Sequence, residues 1–340
     1  SLALKRTLQQ NINLALSDLM LQYPNILVFG EDVGKKGGVY RVTADLQKQF
    51  GQRRVFDTLL DETTLLGSAI GFAHNGFLPM PEIQFLAYFH NAEDQLRGEA
   101  ATLSFFSNGQ YQNPMVIRIA GLAYQKGFGG HFHNDNSIAV LRDIPGLIIA
   151  VPSNGADAVN MLRECVRLAH EERRIVVFLE PIALYMAKDL HHEKDDAWLC
   201  HYPAANERIS LGAMGGEGTG DTLIVSYANG YYLSRQAAGS LAKDHNIQVR
   251  VIDVRWLSPL PLDALAIEVA NVSRVLIVDE GRKTGSVSEA IMTGLMETLE
   301  TLPKIARLTG EDTFIPLGDA WQCVLPSKES IINKVLEMEK

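Results

Sequence analysis

The stretch that decides the fold is Asp57-Thr58-Leu59-Leu60-Asp61-Glu62, followed by the small-residue run Gly67-Ser68-Ala69-Ile70-Gly71. A β-prone pair at 55–56 precedes it. Carboxylates at the carboxyl end of a strand, beside a helix that allows close approach, are typical of ligand sites in open α/β sheets. The alternative is that Asp61 and Glu62 only occupy a helix N-terminus, where the helix dipole favours acids. The stretch alone leaves both interpretations open.

Alternating strand-like and helical segments surround this stretch. Helical periodicity covers 3–21, and further helices are predicted at 62–75, 88–106 and 156–171. Short apolar runs predict strands between them, at 26–29, 80–85, 115–120, 147–151 and 175–179. Such alternation predicts an α/β fold with a mostly parallel sheet flanked by helices.

The pattern breaks between Met186 and Gly220, where a polar run and five glycines at 212–220 predict a linker with an irregular hairpin. These glycines precede a strand instead of following one, so they do not form a dinucleotide fingerprint. Alternation then resumes to the end of the chain. We therefore predict two domains, 1–190 and 221–340, joined by a linker at 191–220, each with a mostly parallel sheet flanked by helices.

Composition excludes several classes of protein. The hydrophobic content of 46% and the charged content of 21% are typical of a globular protein. The net charge of −9 disfavours nucleic-acid binding, and no apolar run is long enough to span a membrane. The three cysteines form no CxxC pair, so a disulfide framework or zinc ribbon is not expected and a cytoplasmic location is favoured.

A glycine-rich loop at 127–137 contains His131, His133 and Asp135. These three side chains are possible metal ligands, but no further ligand follows at a readable spacing, so we predict no metal site. The remaining interpretations are a polar loop and a catalytic histidine on a loop at the edge of a rigid sheet. Both stay open on the residues alone.

Aromatic residues follow the strand predicted at 80–85. Phe85, Tyr88 and Phe89 would normally belong to the core. They could equally form a wall against which a flat ring packs.

The order of short motifs resembles the β subunit of thiamine-diphosphate-dependent 2-oxo acid dehydrogenases, the first component of the pyruvate and branched-chain complexes. The motifs run over essentially the whole chain: GEDVG (30–34), DTLLDE (57–62), EIQF (82–85), DIPGL (143–147), VPS (151–153), FLEP (178–181), VIDVRWLSPLP (251–261) and RLTGEDT (307–313). The resemblance implies a transketolase-like pyrimidine-binding domain followed by a transketolase-type C-terminal domain.

The resemblance also implies roles for four residues. Glu62 matches the family glutamate that hydrogen-bonds the aminopyrimidine ring of thiamine diphosphate and so assists loss of a proton from the thiazolium carbon. Phe85 and Tyr88 match the aromatic residues around that ring. His133 matches an active-site histidine thought to assist acyl transfer to lipoamide.

The chain departs from the family pattern in one loop. The usual His-Ser-Gln-Ser reads His133-Asn134-Asp135-Asn136 here, and His131 is an additional histidine. The roles of His131 and Asp135 therefore stay open, and the family's structural potassium site is not carried over, because the segment between Pro152 and Pro181 is longer than usual.

Thiamine enzymes hold Mg²⁺ and the diphosphate with a GDG motif and a distal NN, and neither Gly220-Asp221-Thr222 nor Gly318-Asp319-Ala320 completes it. The resemblance thus implies that an α subunit, or an α half upstream of Ser1, supplies Mg²⁺ and diphosphate binding. By analogy with the family, two α and two β subunits would associate across a two-fold axis.

The resemblance implies oxidative decarboxylation of a 2-oxo acid, with acyl transfer to a lipoyl acyltransferase component. The stretch from EIQF to Tyr88 favours a branched-chain substrate of the 3-methyl-2-oxobutanoate type. The alternatives are a pyruvate or acetoin dehydrogenase β subunit, a transketolase-like or deoxyxylulose-phosphate synthase fragment, a non-catalytic scaffold for dimerisation and docking, and, more remotely, a nicotinamide oxidoreductase. A eukaryotic source would place the protein in the mitochondrial matrix.

Overall fold

The structure, a computed structural model, describes residues 3–125 and 130–340. Its strands are β1 (Lys5–Arg6), β2 (Ile26–Gly30), β3 (Val55–Asp57), β4 (Leu78–Ile83), β5 (Met115–Gly121), β6 (Ile148–Ala150), β7 (Ile175–Pro181), β8 (Cys200–His201), β9 (Gly215–Glu217), β10 (Thr222–Ser226), β11 (Val249–Asp253), β12 (Trp256–Ser258), β13 (Arg274–Arg282) and β14 (Lys304–Gly310). Its α-helices are α1 (Leu8–Gln22), α2 (Leu46–Phe50), α3 (Glu62–His74), α4 (Ala101–Phe106), α5 (Ile138–Arg142), α6 (Gly155–Glu171), α7 (Ala228–His245), α8 (Leu262–Val269), α9 (Val287–Thr298) and α10 (Lys328–Glu339).

The strands form two large sheets, as the alternation of helices and strands predicts. The seven-stranded sheet has the order β12-β6-β7-β5-β4-β2-β3, and all its pairs are parallel except β12 with β6. The five-stranded sheet has the order β14-β13-β10-β11-β9, and only β9 runs antiparallel to its neighbour. The short strands β1 and β8 pair separately.

Successive residues of β2 illustrate how the first sheet is covered on both faces. Leu27 and Phe29 belong to the core on the side of α3, whereas Ile26 and Val28 belong to the core on the side of α1 and α6. Because side chains alternate along a strand, a buried strand between two helical layers has apolar residues at every position. This explains the continuous apolar run at 26–29.

One core continues from the first sheet into the second. The cluster that contains Leu27 and Phe29 also contains Val225 of β10 and Ile277 of β13. The opposite face of the second sheet is covered by α7 and α10, with Ile331 and Val335 buried there. The two domains thus share apolar packing.

The segment 88–106, predicted to be helical, is helical over most of its length but is not one regular α-helix. The chain forms a 3-10 helix (Leu86–Ala92), a π-helix (Gln95–Ala100) and then α4. Gly98 lies in the π-helix, where a Cβ atom would come within 2.6 Å of Asp94 Oδ1. Glycine weakens a regular helix and permits this close return of the Asp94 side chain.

The irregular hairpin predicted between Met186 and Gly220 is wrong, because the two strands in this stretch pair with other parts of the chain. Within this segment β9 pairs with β11 of the C-terminal sheet, and β8 upstream pairs with β1. A Cβ atom on Gly215 would come within 2.6 Å of Arg255 Nη2, and one on Gly216 within 2.8 Å of Ile252 Cδ1. The glycines therefore allow an edge strand to approach the sheet closely.

Among the helices within 3–125 and 130–340, none is long and apolar enough to cross a bilayer.

Candidate active site

The carboxyl ends of four parallel strands meet at one edge of the first sheet. Glu31 follows β2, Asp57 ends β3, Gln84 follows β4, and Leu122 follows β5. In parallel α/β sheets this edge is the usual place for ligand binding, because loops and helix N-termini converge there. The structure therefore brings the sequence-predicted stretch 57–62 to the expected edge.

Glu62 is the first residue of α3 and is partly buried. Asp61 is the N-cap of this helix, and its Oδ2 accepts a hydrogen bond from the Thr64 backbone N–H at 3.3 Å. Asn91 Nδ2 donates a hydrogen bond to Glu62 Oε2 at 3.3 Å. The two interpretations of the carboxylate pair are thus compatible: Asp61 caps the helix, while Glu62 is oriented toward the segment after β4.

A shallow depression beside Glu62 is lined by further acidic side chains, including those of Glu31 and Glu82. Burial, together with the neighbouring charges of Asp32 and Glu62, raises the pKa of Glu31, while Lys36 opposes the shift. Burial and the charges of Glu31 and Glu62 also raise the pKa of Tyr88. Glu31, Glu62 and Tyr88 therefore share one electrostatic environment.

Phe85, Tyr88 and His133 lie together next to this depression. The ring centroids of Phe85 and His133 are 4.4 Å apart in an edge-to-face arrangement, and those of Phe85 and Tyr88 are 5.4 Å apart. The Tyr88 hydroxyl lies 3.3 Å from His133 Nε2. The structure thus brings together three of the four residues selected from the sequence, while the Tyr88 environment connects them to Glu62.

Phe89, the other aromatic residue considered for the wall, is fully buried in the core, unlike Tyr88. Phe89 therefore belongs to the packing between α3 and the sheet.

The segment around His133 is held by residues that the sequence analysis did not select. Gln125 Nε2 donates to the His133 carbonyl, and Gln125 Oε1 accepts from the Tyr40 hydroxyl at 2.7 Å. Burial raises the pKa of Tyr40 to about 12, so Tyr40 remains a neutral donor at physiological pH. Asn134 Oδ1 accepts from the Gln125 N–H at 3.0 Å. No sequence motif marks Tyr40 or Gln125, because their roles depend on long-range contacts.

His131, His133 and Asp135 point to different neighbours. The His131 ring packs against Phe132 and Phe314, with centroids 4.1 and 5.7 Å apart, while His90 Nε2 lies 3.3 Å from Asp135 Oδ2. Within 3–125 and 130–340, no three His, Cys, Asp or Glu side chains gather as a metal site. The glycine-rich part of this loop at 127–129 lies outside the described residues.

A buried ionic cluster lies directly behind the depression. Arg118 Nη1 donates to Glu82 Oε2 at 2.7 Å, and Arg118 forms two hydrogen bonds with Glu180, at 2.8 and 3.0 Å. The Tyr185 hydroxyl also donates to Glu180. Burial raises the pKa of Glu82 although Arg118 opposes the shift. One guanidinium thus pairs with two buried carboxylates, which leaves one excess negative charge when both are ionised, and these hydrogen bonds fix the strand ends beneath the site.

Glu280 of β13 connects the C-terminal domain to the His133 segment. Its Oε2 accepts from the Ala123 N–H at 2.9 Å, its Oε1 accepts from Asn229 Nδ2 at 3.0 Å, and its carbonyl accepts from Asn136 Nδ2 at 2.5 Å. Burial raises the pKa of Glu280 to about 7. Both ends of the segment 123–136 are therefore attached to one residue of the second sheet.

A cavity of about 530 Å³ lies elsewhere, lined in part by Asn113, Leu147 and Ile175. These residues lie at the amino ends of β5, β6 and β7, on the opposite edge of the sheet from Glu62. It is lined mainly by apolar surface, by Arg97, Arg173 and Arg174, and by Glu172, which is ion-paired with Arg167. The carboxyl edge, where Glu62, Tyr88 and His133 are found, is therefore the candidate active site despite its smaller depression.

Comparison with known proteins agrees with this architecture. The family model for the transketolase pyrimidine binding domain matches residues 5–188, and the model for the transketolase C-terminal domain matches residues 216–331. A solved structure titled as a split gene transketolase, an inactive beta4 tetramer, has a TM-score of 0.73 over 97% of both chains. Its sequence identity of 18% makes this a likeness of fold alone.

Curated relatives cover almost the entire chain. The pyruvate dehydrogenase E1 component subunit beta of Staphylococcus epidermidis is 34% identical over 336 residues, covering 96% of this chain and 97% of that protein. The protein of the same name from Staphylococcus aureus is 34% identical over 339 residues, covering 97% and 98%. The chain therefore belongs to the transketolase-like family of β subunits of thiamine-diphosphate-dependent 2-oxo acid dehydrogenases.

Proposed function

We propose that this chain binds the aminopyrimidine half of thiamine diphosphate and acts, with an α partner, in the oxidative decarboxylation of a short 2-oxo acid. The observation that carries the proposal is the position of Glu62. It lies in the first turn of α3 at the carboxyl edge of the sheet, in the electrostatic environment of Tyr88, whose ring packs against Phe85.

The residues present fit a flat heteroaromatic ring. Phe85 is buried and Tyr88 is partly exposed, so their edge-to-face pair offers an apolar surface beside a carboxylate. Apolar rings beside a few oriented polar groups are typical of cofactor sites. Glu62, Phe85 and Tyr88 would hold the pyrimidine.

When bound, thiamine diphosphate supplies the electron sink for decarboxylation. Glu62 would share a proton with a pyrimidine ring nitrogen, and Asn91 would orient the carboxylate through its hydrogen bond to Oε2. Phe85 and Tyr88 would exclude water from this side of the ring. His133 would hold or move a proton during acyl transfer to lipoamide, with Tyr88 orienting Nε2.

We infer that an α subunit or a fused α half supplies the groups that bind the diphosphate and Mg²⁺. No GDG motif followed by a distal NN is found in the sequence, and the described residues contain no cluster of metal-ligating side chains. We propose that an α subunit or a fused α half completes the site, that β subunits associate across a two-fold axis, and that a lipoyl acyltransferase accepts the acyl group. Cys165, Cys200 and Cys323 are free, which supports a cytoplasmic assembly.

The substrate is either pyruvate or a branched-chain 2-oxo acid. The names of the curated relatives favour pyruvate. The stretch from EIQF to Tyr88 favours the branched-chain class. Competition between pyruvate and 3-methyl-2-oxobutanoate in the assembled enzyme decides between them, since the preferred substrate will have the higher kcat/KM.

We expect Glu62→Gln to reduce decarboxylation by at least about 100-fold, because the amide cannot exchange a proton with the ring. The assay uses the chain co-expressed with its α partner, and thiamine diphosphate binding is measured separately by calorimetry. Glu329→Gln is the matched control, since Glu329 also lies in the first turn of a side-chain-capped helix, but it is exposed and belongs to the last helix of the C-terminal domain.

Full turnover of Glu62→Gln with normal thermal stability would contradict the role of Glu62. If the assembly bound no thiamine diphosphate with either glutamate or glutamine at this position, the alternative of a non-catalytic scaffold would replace the proposal.

A further inference from the structure

His90 and Asp135 form a second link between the two segments that carry Tyr88 and His133. His90 lies two residues after Tyr88 in the 3-10 helix, and Asp135 lies two residues after His133. His90 Nε2 is 3.3 Å from Asp135 Oδ2. This contact therefore runs beside the contact between the Tyr88 hydroxyl and His133 Nε2.

Asp135 is held rigidly on its other side. Its Oδ1 accepts from the Ser137 N–H at 2.8 Å and from Ser137 Oγ at 2.5 Å, and its backbone forms an isolated bridge with Leu122. Arg282 Nη1 of β13 donates to Ser137 Oγ at 3.2 Å. The Asp135 side chain is only 10% exposed, and with Oδ1 bound to Ser137, its other oxygen, Oδ2, is directed toward His90.

The charges around His90 favour its protonated form. The hydrogen bond to Asp135 raises the pKa of His90, and the charges of Asp135 and Glu93 add to the shift, whereas burial and Arg282 oppose it. Burial opposes ionisation of Asp135, yet the hydrogen bonds from His90 and Ser137 lower its pKa. The contact is therefore an ion pair between the lowered pKa of Asp135 and the raised pKa of His90.

We propose that His90 and Asp135 are positioning residues that fix the distance between the Tyr88 hydroxyl and the His133 ring. The inference rests on the proposed function, since it gives that pair a task in acyl transfer. It also gives a role to Asp135, which stands where the family pattern has glutamine. Because the pair is lost when His90 loses its proton, the positioning weakens as pH rises through the pKa of His90.

The first test observes the pair without substrate. In the full-length chain with its partner subunits, NMR of labelled histidine follows the titration of His90 and the ring resonances of His133. We expect Asp135→Asn to lower the pKa of His90 by on the order of one unit, since an opposite charge is removed. We also expect Asp135→Asn and His90→Phe to shift the His133 resonances in the same direction.

The second test is a double-mutant cycle on acyl transfer to lipoamide. Each single variant is expected to lower kcat about 5- to 10-fold with little change in KM, and the double variant to be no slower than either. The fall in rate above the pKa of His90 should disappear in both variants. Asp135→Gln tests the residue of the family pattern and should behave as Asp135→Asn does.

His131→Gln is the matched control. His131 lies on the same loop as Asp135, but its ring packs against Phe132 and Phe314. It should leave the His90 titration unchanged. Additive effects of the two substitutions, or unchanged His133 resonances in Asp135→Asn, would overturn the proposal. The NMR result is independent of turnover, so full turnover of Glu62→Gln, which would contradict the proposed function, is distinguishable from failure of this inference.

Discussion

Side chains from two distant segments meet at Phe85, Tyr88 and His133. The order of motifs was enough to select these residues and Glu62 from the sequence, because each motif has a distinctive local pattern. The contacts of His90 with Asp135, and of Glu280 with Ala123, could not be predicted, since they join residues 45 and 157 positions apart. Polar residues such as these carry no periodic signal, and only the folded chain pairs them.

Tyr88→Phe tests the hydroxyl separately from the ring. The substitution keeps the packing against Phe85 but removes the group 3.3 Å from His133 Nε2. A hydrogen bond of this kind contributes about 1 kcal/mol, so we expect acyl transfer to slow roughly 5-fold. Steady-state kinetics of the assembled enzyme provide the measurement, and thermal unfolding should change little.

Tyr111→Phe is the control for this variant, because the Tyr111 side chain is exposed and distant in sequence from the site. An unchanged acyl-transfer rate in Tyr88→Phe would show that the hydroxyl does not orient His133.

Helix α3 is the element on which the site depends most directly, because its N-cap immediately precedes Glu62. Capping and periodicity made this helix predictable to within a residue. The type of helix in the segment after β4 was harder to predict from the sequence. A π-helix differs from an α-helix by a single widened turn, so the two have nearly the same pattern of apolar residues. Strand β9 was missed because Gly215-Gly216-Glu217 has no apolar residue to indicate a strand, and β12 was missed because it lies only two residues after β11.

Asp61→Ala tests the cap. We expect the free energy of unfolding to fall by about 1 kcal/mol, because the Thr64 N–H loses its acceptor at the start of α3. Urea unfolding monitored by circular dichroism measures the change. Activity should fall as well, since fraying of the first turn displaces Glu62.

Asp61→Asn retains a capping oxygen and should keep most of the stability. Equal losses in the alanine and asparagine variants would mean that the charge of Asp61, and not its cap, stabilises the helix.

Glu280 matters for the molecule as a whole, because it joins the second sheet to the segment that carries His133. Its pKa of about 7 lies above the ordinary value of 4.5. A raised pKa in the folded state means that the stabilising contribution is complete below the unfolded value and is lost as pH rises through about 7. The folded state is therefore expected to lose stability in alkaline solution because of the cost of burying the ionised carboxylate, although the hydrogen bonds from Ala123 and Asn229 favour the ionised form.

We expect Glu280→Gln to remove this pH dependence. The difference in free energy of unfolding between wild type and variant should fall by roughly 3 kcal/mol from pH 4.5 to pH 8, the equivalent of the raised pKa. Urea titrations at a series of pH values provide the measurement. Burial also raises the pKa of Asp253 to about 7. Asp253 is present in both the wild type and Glu280→Gln, so its contribution cancels in the difference between their free energies of unfolding.

A constant difference across this pH range would show that Glu280 titrates as an exposed carboxyl, and the link between the domains would then not depend on its protonation.

Strand β12 has a consequence for how proteins of this kind can be recombined. Its residues follow β11 of the C-terminal sheet, yet Trp256 and Ser258 pair with β6 of the N-terminal sheet. A crossover between parental genes at residues 191–220 would combine a first sheet from one parent with its terminal strand from the other. In chimeras with such a junction, β6 and β12 come from different parents, and the packing around the fully buried Trp256 is mismatched. Grafting residues 256–258 together with the first sheet keeps both strands from the same parent.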